Sequence, residues 1–151
     1  GGGAGRAKRS LTDYGAGRVA YLPRIISRAQ ETSAPYWAIL PVNDAEIADA
    51  ILWVAGGGVG VRVLASDSVG IELAKMSNGD VLLHMVNYDA EESAPGIVVE
   101  VELHGRVTHV TLMSPDAPKR SVEYKVEGHI LKFIINEVVT YSVARITIDA
   151  E

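Results

Sequence analysis

From Val59 onward the chain alternates apolar and polar positions with a period of two, and turn residues interrupt it about every 8–12 positions. The clearest case is Ile97–Leu103, where Ile97, Val99, Val101 and Leu103 share one face while Val98, Glu100 and Glu102 share the other. That is the signature of a strand with one face on a core and one in water. The same reading predicts strands over Val61–Ala65, Val69–Ala74, Asp80–Tyr88, Arg106–Leu112, Ser121–Val126, Ile130–Ile135 and Val139–Ile148. Turns fall at Ser77–Gly79, Ala94–Gly96, His104–Gly105, Ser114–Pro118 and Glu127–Gly128. Asp80–Tyr88 is apolar on both faces, so it is expected inside a sheet rather than at its rim. In Val139–Ile148, Tyr141 and Val143 share a face before Ile146 and Ile148 take over, which predicts a β-bulge. The expected core is Leu83, Met85, Val99, Val101, Tyr124, Phe133 and Tyr141.

Upstream the pattern changes. Asn43–Ala55 reads as a helix: Ile47, Ala50, Ile51 and Val54 form a stripe, and Asn43 with Glu46 has the spacing of a capping box. Leu52 and Trp53 widen the stripe, so the helix is expected to be covered on two sides. Gly56–Gly58 ends it. Arg18–Leu22 is a short strand closed by Pro23, and 24–42 is irregular. Residues 1–10 read as a disordered linker or an added tail. The fold class is therefore mainly β: an antiparallel immunoglobulin-like β-sandwich with one N-terminal helix. Its expected parts are 1–10, 11–58 (strand, irregular segment and helix packed on the sandwich) and 59–151 (the β-sandwich).

Composition narrows the chemistry. Apolar residues make up 48% and charged residues 22%, as in a folded domain. The net charge of −5 argues against a phosphate-backbone surface, so no nucleic-acid partner is expected. No apolar run is long enough to cross a membrane as a helix, so no membrane partner is expected. Without cysteine there is no disulfide, thiol nucleophile or thiolate site. His84, His104, His109 and His129 lack the close spacing of a metal site, and His84 inside an apolar strand reads as a hydrogen-bonded core residue. No nucleophile elbow or phosphate loop occurs, so no cofactor is implied. Loop carboxylates Asp89, Glu91 and Glu92 could bind calcium, but only weakly signal it.

Two segments resemble a known family. Tyr14–Pro23 (YGAGRVAYLP) is similar to the strand that ends the amidotransferase-like domain of trimeric β-galactosidases and related glycoside hydrolases. His84–Tyr88 (HMVNY) is similar to a strand of the C-terminal sandwich that follows it there. The helix with Ala50–Trp53 and the closing strand with Tyr141 fit the same order. The resemblance implies a C-terminal accessory region of a carbohydrate-active enzyme. It also implies that the catalytic carboxylates sit in an upstream barrel, so this chain is expected to be no enzyme by itself.

Sugar binding needs exposed ring faces beside polar groups. Tyr36 and Trp37, bracketed by Pro35 and Pro41, are the first candidate platform, and Tyr88 with Asp89 at a strand end is the second. The expected partner is a polysaccharide or oligosaccharide. The alternative is a structural or oligomerisation domain that packs against a neighbouring enzyme domain or subunit.

Overall fold

The computed structural model describes residues 8–27 and 40–149. The chain divides into two compact units, Gly1–Val59 and Gly60–Glu151.

The first unit holds a β-hairpin and a helix. Strands β1 (Ser10–Tyr14) and β2 (Gly17–Tyr21) pair antiparallel, with Tyr14 opposite Gly17. Gly15 turns the hairpin at φ +59°, a conformation a side chain would strain. Helix α1 spans Asp44–Val54. Asn43 precedes it but does not cap it with its side chain. Instead Asn43 Oδ1 accepts from the Ile26 N–H at 2.8 Å and its amide donates to the Arg24 carbonyl at 3.1 Å. The residue expected to cap the helix thus ties down the segment before it. Along the predicted stripe, Ala50 is buried while Ile51 is 58% and Val54 43% exposed.

The second unit is an antiparallel sandwich of two sheets. The four-stranded sheet runs β3 (Val61–Leu64), β6 (Ala94–Glu102), β10 (Ile130–Val138), β9 (Tyr124–Glu127). The five-stranded sheet runs β4 (Val69–Lys75), β5 (Val81–Asn87), β11 (Tyr141–Asp149), β7 (Arg106–Ser114), β8 (Ala117–Ser121). Alternate residues of both sheets meet between them: Leu83, Met85, Ala144 and Ile146 from one, Val99, Val101, Phe133 and Ile135 from the other. The predicted sandwich and five of its seven predicted core residues (Leu83, Met85, Val99, Val101, Phe133) stand.

Several expectations are corrected. Tyr124 is only half-buried, packed against the core, and its hydroxyl donates to the Val107 carbonyl at 3.2 Å. Tyr141 points to the outer face of the five-stranded sheet, because the inward phase of β11 is Ser142, Ala144 and Ile146. His84 shares that outer face, half-buried rather than in the core, and forms a 2.6 Å hydrogen bond with the Tyr141 hydroxyl. The irregularity in β11 lies between Thr147 and Ile148, not between Val143 and Ile146. Ser121–Val126 is two strands in different sheets, β8 and β9. Ala94–Gly96 is not a turn but the start of β6, where β3 does not reach and a proline is tolerated beside a single partner.

An ion pair with a buried carboxylate and a partly exposed guanidinium locks one corner. Asp80, just before β5, is 2% exposed. Its Oδ2 accepts from Arg145 Nε at 2.8 Å and Asn78 Nδ2 at 3.0 Å, and its Oδ1 accepts from the Ile148 N–H at 3.3 Å. The Arg145 guanidinium holds this carboxyl below the usual carboxylate range, with Asn78 and Ile148 helping and burial opposing. Stability from this pair is therefore full above about pH 4, the ordinary carboxylate value, and lost as pH falls below it. Asp80→Asn is expected to lower the melting temperature at pH 7 and to flatten the acid limb below about pH 4. Melting curves across pH check this; an unchanged acid limb would remove Asp80 as its source.

Candidate functional site

Asn87 is the polar residue at an inward position of β5, and it organises the loop that follows. It is 5% exposed. Its Nδ2 donates to the carbonyls of Glu92 at 2.7 Å and Val139 at 3.0 Å, and its Oδ1 accepts from the Asp89 N–H at 3.1 Å. Asp89 Oδ1 then accepts from the N–H groups of Glu91 at 2.9 Å and Glu92 at 3.2 Å. Backbone groups that a loop would leave to water are thus met by two short side chains. Such a loop is held in one shape before any ligand arrives.

Tyr88 stands at the edge of this loop. Its N–H donates to the Ser68 carbonyl at 2.9 Å. Its ring packs on the backbone of Gly70 in β4, so closely that a Cβ there would lie 2.9 Å from Cε2. Glycine at 70 is therefore what seats the ring. The residue remains 60% exposed. Beside it is a cavity of about 260 Å³ lined by Asn87, Asp89, Glu91, Glu92, Ser93 and Thr140, among others. A fixed ring next to carboxylates and hydroxyls can offer a flat apolar face to C–H groups and oxygens to hydroxyl protons.

The structure brings Tyr88 and Asp89 together at this cavity. Asp89 serves there chiefly as a loop scaffold, with one oxygen given to two amides. Tyr36 and Trp37 lie outside the described residues. Sequence reasoning missed Asn87 and Gly70. Asn87 left a signal, a polar residue at an apolar phase; Gly70 left none, because its role depends on a ring 18 positions away. Among the described residues no group of three or more histidine, aspartate or glutamate side chains is placed to hold a metal ion. The rings of His104 and His129 lie 5.2 Å apart between centroids, tilted at 55°, past the far end of β6 and remote from this loop.

No family model and no curated protein sequence matches the chain. Among solved structures it is similar to the alpha-L-fucosidase isoenzyme 2 from Paenibacillus thiaminolyticus, with a TM-score of 0.60 and 12% identity. The match covers 71% of this chain and only 18% of that one. At that identity the likeness is one of fold: most of this chain is similar in fold to a part of a much longer glycoside hydrolase.

Proposed function

We propose that the chain is a non-catalytic β-sandwich accessory domain of a carbohydrate-active enzyme, and that the Tyr88–Ser93 loop binds carbohydrate. The observation that carries this reading is the exposed Tyr88 ring, seated on Gly70 beside a preorganised polar cavity. The fold likeness to part of a glycoside hydrolase supports it, as does the resemblance of Tyr14–Pro23 and His84–Tyr88 to the C-terminal regions of such enzymes. Tyr36 and Trp37 are proposed as a second aromatic contact with the same class of ligand.

Affinity gel electrophoresis against a panel of soluble polysaccharides tests the reading. At least one glycan should retard the chain, and Tyr88→Ala should weaken that retardation about tenfold or more. The melting temperature should hardly move, since the ring is mostly exposed. No retardation by any glycan, or equal retardation of Tyr88→Ala, would refute the assignment of this loop.

A second reading is favoured by one observation in the first unit. Ile51 and Val54 of α1, and Val19 and Tyr21 of β2, are apolar and exposed, between 43% and 58%. Exposed apolar surface of this kind suits packing against a neighbouring enzyme domain. Self-association of the isolated chain, reduced by Ile51→Glu, would support that role.

A further inference from the structure

Two turns distant in sequence meet past the far end of β6. His104 lies in the turn from β6 to β7, and His129 in the turn from β9 to β10. Glu127 pairs with Ile130, so Gly128 and His129 alone make the second turn. The Leu103 N–H donates to the His129 carbonyl at 2.8 Å, which ties one turn to the other. Just after His104 the chain is pressed against β11, where a Cβ at Gly105 would lie 2.7 Å from Ile148 Cγ2. Both histidines thus stand on backbone that is held in place, while their side chains are exposed.

The 5.2 Å between their ring centroids is the separation that a shared metal ion requires. Two imidazoles on one tetrahedral ion, each with a metal–nitrogen bond of about 2.0–2.1 Å, place their ring centres roughly 5 Å apart. The 55° tilt fits, because each ring can turn about its own metal–nitrogen bond. Neither ring takes part in a hydrogen bond or an ion pair among the described residues. His84, by contrast, commits Nδ1 to the Tyr141 hydroxyl. The nitrogens of His104 and His129 keep their lone pairs for a ligand.

We propose that His104 and His129 together bind a divalent late first-row transition ion, of which zinc is the type, with water in the positions the chain leaves open. Imidazole suits zinc, copper and nickel, whereas magnesium and calcium take oxygen ligands. Once one ring has bound, the other is already at coordinating distance, so the second bond costs little further ordering. An exposed histidine standing alone, such as His109, lacks that gain. Among the described residues no third histidine, aspartate or glutamate joins the pair. The ion is therefore held exchangeably, and its open positions accept a ligand from outside.

The test is titration calorimetry of the untagged chain with zinc chloride, and with magnesium chloride beside it. The variants His104→Gln, His129→Gln and His109→Gln accompany it. One equivalent of zinc should bind, and magnesium should not. Either His104→Gln or His129→Gln should weaken zinc binding about tenfold or more, and His109→Gln should leave it unchanged. Melting temperatures without metal should hardly move, since all three side chains are exposed, so a lost ligand is told apart from a lost fold. Imidazole nitrogen shifts of the unaltered chain give a readout that needs no variant: those of His104 and His129 should move together as zinc is added. Absence of zinc binding, the result for two rings merely in contact, would overturn the proposal. So would binding that neither variant of the pair weakens, the result for zinc held by the Asp89–Glu92 loop. Two equivalents of zinc, of which each variant removes one, would show two independent histidines and overturn it as well.

Discussion

Leu83→Ala is expected to lower the unfolding free energy by about 2–5 kcal/mol, a large share of the stability of a domain this size. Leu83 is fully buried on β5, which has partners on both sides: Leu73 of β4 lies opposite it on one flank and Ala144 of β11 on the other. Strands held from both sides cannot shift easily to fill a void, so the cost should lie toward the upper end. Leu82, one position earlier, faces the outer surface and is half-buried, so Leu82→Ala is expected to cost clearly less. Urea unfolding of both variants checks this, with the denaturant slope unchanged. Equal losses for the two would mean that β5 does not present one face to the core.

The strands that were legible in the sequence are those with one wet face. Ile97, Val99 and Val101 alternate with Val98, Glu100 and Glu102, and the polarity contrast states which side is inside. The outer face of the five-stranded sheet lacks that contrast. His84, Tyr141 and Val143 are half-buried there, while the inward phase of β11 carries the small Ser142 and Ala144. Bulk therefore points to the wrong face, and the change of phase toward Ile146 reads as a bulge that the register does not have there. Ser121–Val126 failed for another reason: period-two alternation runs unbroken through Val122 and Glu123 although the chain changes sheets there. Tyr88 was legible as a ring at a strand end, and its seat on Gly70 was not. The meeting of His104 with His129 depends on which turns the sheet brings together, a nonlocal fact that their spacing along the chain does not encode.

Asn87→Asp is expected to destabilise the fold by about 3 kcal/mol or more at pH 7. The change is nearly isosteric, and it keeps the oxygen that accepts from the Asp89 N–H. It replaces the two amide protons with an oxygen aimed at the carbonyls of Glu92 and Val139, in a site only 5% exposed. A buried carboxylate facing carbonyl oxygens has no compensating donor, so its folded pKa is raised above the unfolded value of about 3.9. Destabilisation is then full at neutral pH and recedes as pH falls and the group takes up a proton, which restores one donor. The wild type behaves in the opposite sense, losing the contribution of Asp80 only below about pH 4. Melting temperatures from pH 8 down to about pH 4.5 should therefore converge for the two proteins. The loop carries the proposed sugar contact, so glycan retention by Asn87→Asp should fail at pH 7 and return in part at the acid end. A gap in melting temperature that does not change with pH would show that the loop rearranges around the new side chain rather than straining against it.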